Sequence, residues 1–331
     1  MGQHLGQQSA GVKVPRATDG AADHQVASEH VFGGPWTQIK LDAVEYYLRC
    51  YATALSRRPF DLWYIDGFAG TGEQTVDRLD GGLFDGRPIG QIRETLAGSA
   101  TRALTVDPPL HHFIFIEDDP ARCAALERLR NENPSKDIRV IEGDANDVLK
   151  RMIARDPWSK KDKGAARGVA FLDPYALHVE WSTLAALAQT KVLDVWYLFP
   201  LRDVVRQLAH RYSGIGPKEP RLDRVLGAEW RELYKLPAPE QSWVQTDLWR
   251  NDDQEPRRDA TSQQVETWFR DRLASMFSYA SEPLPILTAP GRQAFSLFLA
   301  VANPSQPAID LAKHFASHVT KNYGPQASRR K

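Results

Sequence analysis

One stretch of this chain sets an acid in front of three glycines. Leu62 to Gly72 reads LWYIDGFAGTG: four apolar residues, then Asp66, then glycines at 67, 70 and 72. An apolar strand that enters a glycine-rich turn and then a helix brings backbone N–H groups against an anionic or polar ligand. Glycine is needed because a side chain blocks close approach and because such turns often use positive φ. The spacing narrows the ligand. A phosphate-binding P-loop ends in Gly-Lys-Ser/Thr, whereas Glu73 follows Gly72 here. The dinucleotide fingerprint is G-x-G-x-x-G, whereas the order here is G-x-x-G-x-G behind an acid. An ordinary glycine-rich turn is the plain alternative.

Three further sites share that chemistry. Glu117 closes the apolar run of HHFIFIEDDP (111–120). The end of a second strand is where α/β nucleotide folds set the carboxylate that accepts ribose hydroxyl protons. The separation from the glycine turn exceeds the roughly 20 residues expected, and an intervening insertion accounts for it. A helix-capping or surface acid is the alternative for Glu117. Asp144, in DIRVIEGDANDVL (137–149), caps a helix starting near Ala145, accepts an exocyclic amine, or does both. Asp173-Pro174-Tyr175 ends the apolar run of GVAFLDPYALHVEW (168–181). An Asp side chain and a proline-rigidified carbonyl can accept the two hydrogens of a planar amine, while the aromatic ring stacks on the base. A strand-end turn with a packed Tyr is the alternative.

The elements that must position these residues follow from periodicity. In 36–55, Leu41, Val44, Leu48, Tyr51 and Leu55 form one helical stripe, with Thr37 as an N-cap. Asp118 or Asp119 caps the helix after the second strand, with Pro120 in its first turn. VLDVWYLFPL (192–201) is nearly all apolar, as a strand buried on both faces should be. Residues 91–104 read as a helix interrupted near Gly98, GAEWRELYKL as helical and 260–277 as a helix. LPILTA (284–289) and FSLFLAVAN (295–303) are strands around Pro290-Gly291, before a closing helix over 306–320. The expected architecture is α/β: a mostly parallel sheet with helices on both faces and an antiparallel C-terminal hairpin. Residues 1–30 form a disordered tail, 31–322 one domain, and 323–331 a frayed end. Insertions fall at about 73–110 and 214–258. All four chemical sites then lie at strand carboxyl ends, in one crevice.

Composition excludes several classes. Of 331 residues, 42 are Lys or Arg and 42 are Asp or Glu, so no global field draws the molecule to nucleic acid or membrane. Between Arg202 and Lys235 bases modestly exceed acids, which fits a solvated helical insertion or a local basic contact face. The two cysteines, Cys50 and Cys123, have no metal-ligand spacing and read as buried small hydrophobes. No metal is expected. No run suits a membrane span, the N-terminus lacks an apolar signal core, and a reducing cytoplasm fits these features.

The acid-Gly-x-x-Gly-x-Gly turn resembles the first motif of the S-adenosylmethionine (SAM) methyltransferases. More of the chain resembles the three-Cys-motif partner (TcmP) family: WTQIKL (36–41), YIDGFAGTG (64–72), FIEDDP (115–120), EGDAND (142–147), FLDPYALHVEW (171–181) and TKVLDVWYLFPL (190–201). The similarity runs over about 33–320. It implies a Rossmann-like class I methyltransferase fold, a bacterial setting, and a partner protein with a three-cysteine motif, of radical-SAM-like iron–sulfur type. It also implies SAM as cofactor. Gly67, Phe68, Gly70 and Gly72 would admit its methionine part, with Asp66 near the amino group. Glu117 would hold the ribose and Asp144 the adenine amine. Asp173, Pro174 and Tyr175 would orient a methyl acceptor, with a nucleic-acid base amine favoured; a non-catalytic or SAM-sensing partner is the rival reading. Two departures stand out: Ala176 replaces an expected glycine, and the Asp/Asn-Pro-Pro-aromatic pattern of amino-methyltransferases keeps only one proline.

Overall fold

The computed structural model describes residues 35–82, 87–155, 157–158, 166–235, 255–289 and 291–323. The expected tail at 1–30, the expected tail at 323–331 apart from Tyr323, and much of the second insertion (236–254) lie outside them.

The chain enters as helix α1 (Pro35–Leu55), then strand β1 (Asp61–Asp66). The stripe Leu41, Val44, Leu48 and Tyr51 is buried as its spacing requires. Thr37 does not cap this helix. Pro35 begins it, as proline's fixed φ favours, and Thr37 lies inside it with only 2% exposure. After the glycine turn comes a hairpin of β2 (Glu73–Gly82) and β3 (Arg87–Ala97), a separate two-stranded sheet, then the short helix α2 (Ser99–Leu104). The helix expected over 91–104 is therefore strand up to Ala97 and helix only beyond Gly98.

Alternation then follows: β4 (His112–Glu117), α3 (Pro120–Glu132), β5 (Asp137–Glu142), α4 (Ala145–Ile153), β6 (Ala166–Leu172), α5 (Trp181–Thr190) and β7 (Leu193–Phe199). Helices α6 (Leu201–Gln207) and α7 (Glu219–Leu226) come next, with short 3-10 turns around α7. GAEWRELYKL contributes a 3-10 segment, Ala228–Leu233, not an α-helix, starting behind Gly227 at φ 74°. The chain closes with α8 (Ser262–Met276), β8 (Tyr279–Ala280), β9 (Leu284–Ala289), β10 (Arg292–Val301) and α9 (Gln306–Tyr323).

The main sheet runs β5-β4-β1-β6-β7-β10, with β8 and β9 both antiparallel to β10. The first five strands are parallel; β10 returns antiparallel beside β7. Side chains alternate across it. Trp63, Ile65, Ala170, Leu172, Val195 and Tyr197 face a core shared with α4, α5, α7 and α8. Leu62, Tyr64, Val169, Phe171, Trp196 and Leu198 face the other core, under α1, α2 and α9. Helices thus cover both faces, and strand order reverses at β1, the switch point where ligands bind in open α/β sheets. This is the class I methyltransferase layout.

Cys123 is buried, and its thiol donates to the Glu117 carbonyl at 3.3 Å. Cys50 is only half-buried, because its place on α1 lies at the edge of the core stripe. Among the described residues no helix is long and apolar enough to cross a membrane.

Candidate active site

The register brings the strand ends level: Asp66 lies beside Phe115 of β4 and Phe171 of β6, and Glu117 beside Glu142 of β5. Over these ends opens a cavity of about 390 Å³, lined among others by Gly67, Phe68, Glu117, Asp144 and Tyr175. That volume falls within the roughly 300–1,000 Å³ usual for small-molecule sites.

Glu117 anchors the glycine turn. Its Oε2 accepts the Gly70 N–H at 2.8 Å, while Oε1 accepts the Asp118 and Asp119 N–H groups, each at 3.2 Å. Arg122 Nη1 stands 3.4 Å from Oε1. The side chain is buried, and burial pushes its pKa up against the lowering by the Asp119 and Gly70 N–H groups and Arg122. A carboxylate has about four lone-pair sites, so Oε2 retains capacity for a hydroxyl donor from the cavity. The Ala69 N–H donates to the Ile116 carbonyl at 3.0 Å, which ties the turn to the end of β4.

Two of the glycines are obligatory for different reasons. Gly70 has φ 62°, a conformation side chains resist, and its Cβ position is open. Gly67 has ordinary φ, but a Cβ there would meet Leu172 Cδ2 at 2.7 Å. Gly72, at φ 77°, turns the chain toward the hairpin; its carbonyl accepts from Gly98 N at 2.9 Å and Thr101 Oγ1 at 2.6 Å.

Asp144 caps α4 with one oxygen only. Its Oδ1 accepts from Asn146 N at 2.9 Å and Asp147 N at 3.1 Å. Among the described residues Oδ2 accepts nothing, and the side chain is exposed at the cavity. Asn146, to which the sequence reading gave no role, is buried and builds the wall. Its Nδ2 donates to the His178 carbonyl at 2.8 Å, and its Oδ1 accepts from Glu180 N and Thr183 Oγ1, both at 2.9 Å. These bonds hold the loop after β6 against the start of α4.

The structure separates the Asp-Pro-Tyr triplet. Tyr175 lines the cavity and is 41% exposed, with the Arg122 guanidinium 4.8 Å from its ring centre. Pro174 is buried. Asp173 does not line the cavity: it forms an ion pair with Lys40 of α1, a residue 133 positions away. Lys40 is buried, at 5% exposure. Asp66 belongs to that same side. It is fully buried, accepts from Tyr64 Oη at 3.1 Å and Phe68 N at 3.2 Å, and its pKa is pushed up to about 6, chiefly by burial and further by the nearby charge of Asp173. Residues 64 and 66 share a face because strand side chains alternate with period 2. Glu117, two residues beyond the Phe115 that pairs with Asp66, shares that face as well; what separates the named residues is the cavity, which Glu117, Asp144 and Tyr175 line and Asp66 and Asp173 do not.

Arg221 and Arg224 of α7 also line the cavity. Their only advance signal was the modest excess of bases in that insertion.

No family model matches the chain, and no curated protein matches it. Solved structures do. A Legionella pneumophila protein of the DUF519 family model is 13% identical, covering 89% of this chain and 94% of that one, with a TM-score of 0.46. A SAM-dependent methyltransferase from Clostridium acetobutylicum is 8% identical over 78% of this chain and 92% of its own, with a TM-score of 0.33. The putative methyltransferase YhhF of Escherichia coli is 16% identical over 46% and 66%, with a TM-score of 0.28.

Proposed function

We propose that this chain is a SAM-dependent methyltransferase whose acceptor is a planar amine, a nucleic-acid base being favoured. The observation that carries the reading is the bond from Gly70 N to Glu117 Oε2: it joins the glycine turn to the second-strand acid at the mouth of one cavity that also holds Asp144. SAM would supply an electrophilic methyl group on sulfonium. The chain supplies position and charge. Glu117 accepts from ribose hydroxyls through the lone pairs left on Oε2. Asp144 accepts an adenine amine through Oδ2 while Oδ1 keeps its capping role. Gly67 offers its backbone to the cavity. Tyr175 offers an exposed ring for stacking an acceptor base. Asp66, below the turn, provides negative charge for the ligand's ammonium, and its raised pKa falls when a cation arrives.

A specific observation favours the rival reading, in which the chain binds SAM and serves a three-Cys-motif protein without transferring methyl groups. Asp173 is already paired with Lys40, and a carboxylate so occupied is a poorer acceptor for an incoming amine. Calorimetric titration with SAM and S-adenosylhomocysteine separates the possibilities, with Gly70→Trp as control. Saturable binding, lost in the variant, supports the cofactor site. A methyl-acceptor screen against DNA and RNA then tests turnover. Absence of binding for both compounds sinks the cofactor assignment. Complex formation with the three-cysteine protein that survives substitution of Asp66 and Asp173 favours the partner role.

A further inference from the structure

We propose that Arg221 and Arg224 form a phosphate-reading rim that docks single-stranded nucleic acid across the cavity mouth, with a base delivered toward Tyr175. This names the acceptor class of the site described above and rests on that reading.

A fixed helix presents two arginines that have no partners among the described residues. Helix α7 buries Leu222, Val225 and Leu226, so its backbone is fixed against the core. Its own acids are consumed elsewhere. Arg231 pairs with Glu219 and also with Asp223, whose Oδ1 lies 2.5 Å from Nη1. Trp230 Nε1 donates to the same Asp223 oxygen at 2.7 Å. Arg221 and Arg224, one helical turn apart, are both exposed and both line the cavity. Among the described residues neither makes a hydrogen bond or an ion pair. The cavity is also lined by Glu117, Asp118, Asp119, Asp144 and Glu180; Glu117 holds the glycine turn, Asp119 and Asp144 cap helices, and Glu180 is engaged by Lys150 at 2.8 Å and Ser182 at 3.0 Å. Arg224 adds only a minor attraction there.

Two guanidinium groups without partners, one turn apart on a helix, suit phosphate oxygens, which arginine forks bind bidentately. SAM carries no phosphate, so this rim does not serve that cofactor's nucleoside. An exposed aromatic ring on the same cavity as two arginines is an arrangement that binds unpaired bases: stacking on the ring, charge along the backbone. The cavity is recessed at the strand ends, so a base can enter it only when out of a duplex stack. The neutral net charge fits the same picture, since attraction is confined to this rim.

The test is fluorescence anisotropy of labelled 12-nucleotide single-stranded RNA and DNA with the full chain, over a series of salt concentrations. The variants are Arg221→Gln, Arg224→Gln and the double substitution. Arg49→Gln, an exposed arginine of α1 paired with Glu45, controls for net charge. The double substitution is expected to weaken binding about tenfold or more and to flatten the log–log salt slope by about 1.4, from roughly 0.7 per phosphate contact. Arg49→Gln should leave the slope unchanged. Inorganic phosphate at millimolar concentration separates sources: displacement of the oligonucleotide at ionic strength held constant means a free-phosphate site and overturns the nucleic-acid docking. Wild-type protein that does not bind either oligonucleotide, or a double variant with the wild-type slope, also overturns it. SAM titration of the same variants keeps the two readings apart. Oligonucleotide binding lost with SAM binding intact supports the rim. SAM binding lost with oligonucleotide binding intact assigns the arginines to the cofactor's carboxylate and overturns it. Oligonucleotide binding in a wild-type protein that does not bind SAM sinks the cofactor reading and leaves the rim standing.

Discussion

Replacing Glu117 by Gln changes no volume and removes one oxygen. Both carboxylate oxygens are acceptors: Oε2 for Gly70 N, and Oε1 for Asp118 N, Asp119 N and Arg122. An amide has one oxygen and two N–H donors, so either rotamer sets a donor against a donor. The cheaper orientation keeps the oxygen on the side of Asp118 and Asp119 and loses Gly70. A buried N–H without a partner costs about 1–3 kcal/mol. One effect opposes this. Burial raises the Glu117 pKa, so the neutral amide escapes part of a desolvation cost. That offset narrows the loss, since burial outweighs the donors in the native carboxylate. The net expectation is a loss of about 1–2 kcal/mol, read as a lower urea midpoint at unchanged slope. Glu142→Gln is the control: it is the register partner of Glu117 on β5 but exposed, and surface changes stay within about 0.5 kcal/mol. The reasoning is refuted if Glu117→Gln unfolds at the same urea concentration as Glu142→Gln. Titration with S-adenosylhomocysteine adds a second readout, where about tenfold weaker binding is expected from one lost charge-assisted hydrogen bond.

Other expectations follow from single contacts. Asp194 of β7 is buried, accepts from Tyr47 Oη at 2.8 Å, and has its pKa raised to about 7, chiefly by burial. A carboxyl raised in the folded state costs stability as pH climbs through its folded pKa. Asp194→Asn should therefore gain on the wild type between about pH 4 and pH 7, by up to roughly 4 kcal/mol; a difference constant across that range would refute it. Breaking the Lys40–Asp173 pair with Lys40→Ala leaves a part-buried carboxylate alone and should cost about 3 kcal/mol. Adding Asp173→Leu to Lys40→Met should recover most of that loss, and thermal melts of the two variants decide it. Gly67→Ala forces a Cβ against the fully buried Leu172, costing about 1–3 kcal/mol by overpacking. Leu172→Val in the same chain should give part of it back, and strict additivity would count against the contact.

The strands of the main sheet were legible because their apolar parity survives in a short window. Trp63 and Ile65 face one core and Leu62 and Tyr64 the other, as alternation demands. The caps were legible too: Asp119 accepts from Ala121 N at 2.8 Å, with Pro120 at the first helical position. The hairpin of β2 and β3 was not. EQTVDRLDGG has no apolar run, and what makes it a strand is pairing with Arg87–Ala97, which a window of one strand does not contain. Lys40 was quoted within a family-like stretch without a role, since its partner lies 133 residues away. The base excess over 202–235 was legible by counting, but not that Arg231 takes both acids of α7 and leaves Arg221 and Arg224 without them.

The place of Gly67 between two groups of acids gives it its meaning. Asp144, Glu117 and Tyr175 border the cavity, as does Gly67 itself. Asp66, Tyr64, Asp173 and Lys40 form a charged cluster behind the turn, toward α1. A ligand that touches both must pass by the end of β1. There Gly67 N donates to the Phe171 carbonyl at 2.9 Å, which joins β1 to β6. SAM is such a ligand, with a nucleoside at one end and an amino acid at the other. The geometry therefore links two measurements. Substitutions on the α4 side should weaken SAM and adenosine alike, because both place a nucleoside there. Asp66→Asn should weaken SAM and leave adenosine unchanged, because only SAM extends an ammonium group toward that cluster. Equal losses for both ligands in Asp66→Asn would mean that the turn itself had moved, and that the cavity and the cluster do not share one ligand.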